Sequence, residues 1–145
     1  MKKHIVLIGL PGSGKTTVGR IVAEKGEQAF RDMERKEMEA ALANQPAVLA
    51  PGGGWAAQPG ALESAKPAGY VIYLKARPET AASRAAPSGT RPVLMGEDPE
   101  AQMRNLIKER EPFYLKADAK VETDKKTPDQ IAAEVVRLAQ TSAGW

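Results

Sequence analysis

The stretch Gly9-Leu10-Pro11-Gly12-Ser13-Gly14-Lys15-Thr16 constrains this chain more than any other feature. It has the spacing G-x-x-x-x-G-K-S/T, follows the apolar run Ile5-Val6-Leu7-Ile8, and opens a helical pattern. That strand–loop–helix context is what a phosphate-binding loop requires. Its glycines let successive backbone N–H groups converge on one point without Cβ clashes. The loop ends at a helix N-terminus, where unpaired N–H groups and the helix dipole favour an anion. Lys15 can reach the β- and γ-phosphates of a nucleoside triphosphate, and the Thr16 hydroxyl can ligate Mg²⁺. The motif names the phosphoryl donor; it does not name the acceptor.

The remaining composition narrows the class. With 145 residues and 42% apolar content, one domain with a proper core spanning 1–145 is expected. There is no cysteine, hence no disulfide framework, thiolate nucleophile or Cys-based zinc site. A cytoplasmic protein is expected. Met1-Lys2-Lys3 before an apolar run has the start of a signal peptide, but the run ends at Leu10, too short for one. No segment approaches membrane-spanning length. The net charge of +3 suits an anionic ligand. Aromatics make up 5% of the chain and do not interleave with a basic stripe, which disfavours nucleic acid.

Strand-like and helical patterns alternate. Strands are expected at His4–Ile8, Ala47–Ala50, Tyr70–Lys75 and, more weakly, Lys120–Glu122. Tyr70-Val71-Ile72-Tyr73-Leu74 is apolar throughout, as in a parallel strand covered on both faces. Helices are expected from Lys15 to about Lys25, from about Gln28 to Leu42, after Pro59, and from Pro78 to about Ala85. Asp98-Pro99-Glu100 starts another, expected to reach about Arg110 and bend at Pro112. Thr127-Pro128-Asp129-Gln130 is a capping-box start, followed by the apolar stripe Ile131, Val135, Leu138. The sum is an α/β protein: a three-layer sandwich around a mostly parallel sheet, of the P-loop nucleotide-hydrolase type. The charge-dense stretch Glu27–Glu39 reads as a solvated helix face, with Phe30, Met33 and Met38 inward. His4 reads as a surface residue and Ser142–Trp145 as a frayed tail.

Three further features are candidates for chemistry. Gly52-Gly53-Gly54 follows the second strand, at the edge where open parallel sheets bind ligands. It suits close approach of a substrate to the backbone, and equally a flexible turn. Ser88–Gly96 is punctuated by glycine and proline and carries Arg91, as a closing lid over about residues 86–97 would. An arginine that arrives on closure can neutralise transition-state charge in phosphoryl transfer. Arg84 and Arg110 join it as candidates, against the plain alternative of solvated surface residues.

Taken together, these motifs resemble shikimate kinase. GLPGSGKTTVGR (9–20) looks like that family's phosphate loop, GEQAFRDME (26–34) its G-E-x-x-F-R-x-x-E segment, and VLAPGGGW (48–55) its strand ending in three glycines. SRAAPSGTRPVL (83–94) resembles its adenine-stacking arginine and lid, KEREPFY (108–114) its R-x-P-x-Y helix, and VETDKKTP (121–128) its nucleotide-side loop. The resemblance implies ATP-dependent phosphorylation of a shikimate hydroxyl, with ATP and Mg²⁺, in a monomer with a small-molecule substrate. Gly12, Ser13, Gly14, Lys15, Thr16 and Thr17 would hold the phosphates, with Thr16 on Mg²⁺. Lys15 and Arg91 would be the catalytic cations. Arg84 would stack on adenine, and Lys125 and Lys126 would lie near the nucleotide. Arg31 and Arg110 would clamp the shikimate carboxylate, supported by Glu34, and the Gly53 backbone would meet a ring hydroxyl. Forked guanidinium groups suit a planar carboxylate.

One departure stands out. The family carries a strand and helices with a D-x-D-like motif between the P-loop helix and G-E-x-x-F-R. Here Val18–Lys25 runs straight into Gly26-Glu27. The Asp that contacts the shikimate hydroxyls and is the proposed base therefore has no counterpart, nor does the one that helps order Mg²⁺. Ala50-Pro51 also replaces the hydroxyl-bearing residue often found before the glycines. A helix over Lys15–Lys25 covers about 16 Å away from the carboxyl edge, and no residues remain for the return. Either Lys15–Leu42 is one long or kinked helix and Arg31 leaves the site, or the natural protein carries a segment that this chain lacks. The alternatives to a shikimate kinase are a nucleotide-binding module with impaired catalysis and another small-molecule kinase of the same fold, gluconate-kinase-like.

Overall fold

In the computed structural model, residues 2–10, 27–51, 54–85 and 98–145 are described, the side chains of 27–34, 84 and 85 excepted. The elements are β1 (His4–Ile8), α1 (Glu27–Leu42), β2 (Val48–Leu49), α2 (Ala61–Ala65), β3 (Gly69–Lys75), α3 (Pro78–Ala85), α4 (Pro99–Tyr114), β4 (Ala119–Glu122) and α5 (Pro128–Ser142). The four strands form one sheet in the order β2-β1-β3-β4, and every pairing is parallel. Val6 stands opposite both Leu49 and Val71, and Tyr73 opposite both Ile8 and Lys120. No helix among the described residues is long and apolar enough to cross a membrane.

Strand alternation divides the core in two. Val6, Ile8, Val71 and Tyr73 face one apolar cluster with Met38, Trp55, Leu62, Met103 and Tyr114. Ile5, Ile72 and Leu74 face the other, with Val121, Ala139 and the α5 stripe of Ile131, Val135 and Leu138. Central β3 is thus covered on both sides, as its unbroken apolar run predicts. Its Val71 and Ile72 are fully buried. Burial on that scale is worth about 1.5–3 kcal/mol per side chain, far more than any exposed ion pair contributes. Gly69 opens β3 because a Cβ there would lie 3.1 Å from both the Ala65 carbonyl oxygen and Val6 Cγ2.

Local signals set the helix starts. The Asp98 side chain accepts from the Glu100 N–H at 3.2 Å, with Pro99 in the first turn. At α5, Thr127 Oγ1 accepts from the Gln130 N–H at 3.2 Å, and Gln130 Oε1 accepts from the Thr127 N–H at 2.9 Å. Both ends of this capping box are therefore closed.

Three expectations are corrected. The helix starting at Pro99 does not end at Arg110: it runs through Pro112 to Tyr114. Proline removes one donor, but burial of Tyr114 and the bond from Tyr73 to Glu111 hold the last turn on the core. His4 is no surface residue, being 3% exposed. Its Nε2 bonds the Leu42 carbonyl at 3.0 Å, and the Ala47 N–H donates to Nδ1 at 3.2 Å. The ring thereby staples β1 to the connection between α1 and β2. The final residues are docked, not frayed. Ala143 is buried and accepts from the Lys3 N–H at 2.9 Å, while Trp145 Nε1 donates to the Lys3 carbonyl at 2.7 Å.

Candidate active site

With all strands parallel, their carboxyl ends (Ile8, Leu49, Lys75, Glu122) share one edge, where an open α/β sheet binds ligands. Immediately after β1, Gly9 has φ +155°, a conformation that side chains disfavour. Its carbonyl accepts a hydrogen bond from the Tyr114 hydroxyl at 3.2 Å, across 105 residues of sequence. The start of the phosphate loop is thus tied to the end of α4. Gly12–Thr17, including Lys15 and Thr16, lie outside the described residues, as do Gly53, Arg91 and the rest of the lid, 86–97. So does the join between Lys25 and Gly26. Arg31 falls within α1, with Glu34 one turn on, and Arg84 near the end of α3; their side chains are outside the description.

Arg110 is where two predicted site features meet. It sits one helical turn before Tyr114 and seven residues after Met103, so the face that buries both also carries Arg110 toward the sheet edge. A Cβ at Gly54 would lie 3.7 Å from Arg110 Nη2, which places the guanidinium against Gly54. Arg110 Nη1 is buried and has no hydrogen-bond partner among the described residues. A buried guanidinium nitrogen without an acceptor is costly. A planar oxyanion that accepts from both nitrogens removes that cost.

Residues that the sequence reading left without a role hold this arginine in place. Tyr73 donates to Glu111 Oε2 at 2.6 Å, and Lys75 Nζ lies 3.8 Å from Glu111 Oε1. Burial, and then the neighbouring carboxylate, push the Tyr73 hydroxyl well above its usual range, so it remains a donor. The Tyr73 and Tyr114 rings pack 5.0 Å apart at 46°. The R-x-P-x-Y pattern contains Tyr114 and gives it no partner; Tyr73 reads only as core.

The part of the edge that follows β3 is fixed through β4. Thr123 Oγ1 donates to the Lys75 carbonyl at 3.0 Å, and Asp124 accepts from the Arg77 N–H and pairs with its Nε at 3.6 Å. Lys125 has φ +60°, uncommon for a residue with a side chain. Lys126, a predicted nucleotide contact, forms an ion pair with Glu134 of α5 at 2.8 Å. Beyond Gly54, a cavity of about 200 Å³ opens between α1 and α2, lined by Arg35, Met38, Trp55 and Gln58 among others; neither Arg110 nor Gly54 lines it.

Known proteins share this fold. A family model described as shikimate kinase matches residues 20–140. The shikimate kinase of Caldanaerobacter subterraneus subsp. tengcongensis is 35% identical over 162 residues, covering 93% of this chain and 95% of the relative. That of Thermobifida fusca is 37% identical over 168 residues, covering 96% and 95%. Among solved structures, the shikimate kinase from Acinetobacter baumannii in complex with shikimate superposes with a TM-score of 0.86 at 29% identity, covering 97% of this chain and 94% of that one. The shikimate kinase from Aquifex aeolicus gives 0.74 at 29% identity, covering 94% and 95%. An alternating α/β chain whose sequence carries a phosphate-loop motif after β1, with an arginine seated against Gly54, therefore has its kin: this chain belongs to the shikimate kinase family.

Proposed function

We propose that this chain transfers the γ-phosphoryl group of ATP to a ring hydroxyl of shikimate. The observation that carries the reading is the buried Arg110 Nη1, without a partner among the described residues, beside Gly54. It suits a small acceptor bearing a carboxylate, with the glycine backbone free to approach the ring. Arg31 would complete the clamp, and the Gly53 backbone would orient the hydroxyl. On the donor side, Gly12–Thr17 would cradle the phosphates, with Lys15 across the β- and γ-oxygens and Arg91 closing above them. Arg84 and Lys126 would serve the base and phosphate ends of the nucleotide. Among the described residues no cluster of acidic or histidine ligands could hold a metal by itself. The Thr16 hydroxyl, phosphates and water would hold Mg²⁺, where it would offset charge on the transferring group. We further propose a monomeric, cytoplasmic protein working as one domain.

Phosphoryl transfer rests on positioning and charge stabilisation more than on a base. The chain's own acceptor-side groups therefore decide the rate. The aligned stretch shared with the Caldanaerobacter relative, 162 positions, exceeds the 145 residues of this chain. The relative therefore carries positions without a counterpart here, and we propose that carboxylates between Lys25 and Gly26 are among them. The second reading, a nucleotide-binding module with weak or no turnover, rests on that point. A coupled ADP-release assay on protein of verified intact mass separates the two. Shikimate-dependent ADP release supports the kinase. Calorimetric binding of ADP without turnover supports the module, and ADP release with gluconate but not shikimate overturns both.

A further inference from the structure

The bond between Tyr114 and Gly9 joins the two halves of the proposed site. Gly9 is the first residue of the phosphate loop. Its peptide leaves β1 in a conformation that glycine alone adopts with ease, so its carbonyl needs a fixed partner to have a fixed direction. The Tyr114 hydroxyl supplies one at 3.2 Å from a fully buried ring. Four residues back on the same helix is Arg110, against Gly54. The helix itself is clamped at the intervening position, where Glu111 accepts from Tyr73 at 2.6 Å. The Tyr73 ring packs on that of Tyr114 at 5.0 Å, closing the circuit back onto β3. β1, β3 and α4 thus form a rigid triangle. One corner carries the loop for the donor phosphates and another the cation for the acceptor.

We infer that Tyr114 is a positioning residue for phosphoryl transfer. It fixes the phosphate loop relative to Arg110, so that the donor phosphorus and the acceptor hydroxyl meet at one spacing. The inference rests on the proposed kinase activity. The tie itself is independent of turnover, because it is a contact within the free protein. Misplacement by about 1 Å can cost on the order of 100-fold in rate while each substrate still binds. The signature is therefore in kcat, with KM nearly unchanged.

The test compares the parent protein with Tyr114→Phe, which keeps the ring and its packing on Tyr73 and removes only the hydroxyl. Steady-state ADP release is measured against ATP and against shikimate, and amide exchange at Leu10 is followed by NMR. Tyr73→Phe is the control for losing a buried hydroxyl from the same ring pair. Expected for Tyr114→Phe are a fall in kcat of about 10-fold or more, both KM values within about 3-fold of the parent, and Leu10 exchange at least about 10-fold faster. Val6 and Ile8 exchange should be unchanged, and Tyr73→Phe should leave Leu10 exchange as in the parent. Unchanged Leu10 exchange in Tyr114→Phe overturns the inference whatever the turnover. Faster exchange with unchanged kcat overturns the positioning role. A general fall in protection across β1 and β3 also overturns it, since the hydroxyl would then merely stabilise the fold. If the parent shows no shikimate-dependent ADP release, the activity reading fails; faster Leu10 exchange in Tyr114→Phe would still support the tie.

Discussion

At the scale of single residues, the arginine against Gly54 is the most exacting element. Arg110 offers a planar fork with one nitrogen already at Gly54 and the other unpartnered among the described residues. Lysine would keep the charge and lose the fork. Arg110→Lys is expected to raise KM for shikimate by about 10-fold or more and to leave KM for ATP within about 2-fold, measured by steady-state kinetics. An equal rise in both would mean that the arginine serves the nucleotide. The sequence points to the guanidinium and the glycines because each lies in a short motif that the family resemblance carries. It does not show what His4 and Tyr114 bond. The partners of His4 lie 38 and 43 positions away, and that of Tyr114 lies 105. A single sequence records the residue and not the pairing, so a buried histidine with both nitrogens engaged looks the same as an exposed one.

At the scale of elements, boundaries followed local chemistry wherever that chemistry was strong. β1 and α3 have the ends expected for them, and α5 begins at its capping box. Thr127→Ala is expected to cost about 1 kcal/mol in denaturant unfolding. Thr127→Ser should restore most of it, since serine keeps the accepting oxygen. A loss below about 0.3 kcal/mol would show that water replaces the cap fully. Local chemistry failed where tertiary contacts competed with it. Pro112 is a sound stop signal, yet α4 continues for two more residues because Tyr114 is fully buried against the core. β2 shrank to Val48–Leu49, with Val48 more than half exposed, because it has a strand neighbour on one side only among the described residues.

At the scale of the whole molecule, the two apolar layers have different origins along the chain. One side of the sheet is packed largely by α1, α2 and α4, all contributed before residue 115. Among the described residues, the other side, Ile5, Ile72 and Leu74, is covered by Val121 and by α5 and the residue after it, all contributed after residue 118. Every strand pair is parallel, so no hairpin forms early, and β4 pairs with a strand whose last residue lies more than forty positions before it. A chain emerging from the ribosome therefore holds Ile5, Ile72 and Leu74 without Val121 and α5 until those segments have left the exit tunnel. Synthesis stalled after Tyr114 is expected to yield a nascent chain that a trigger-factor-type chaperone holds, and release of the full length should let it go. Crosslinking yields that are equal at both lengths would contradict this. In living cells the last thirty residues would then set how long the newborn protein needs an escort.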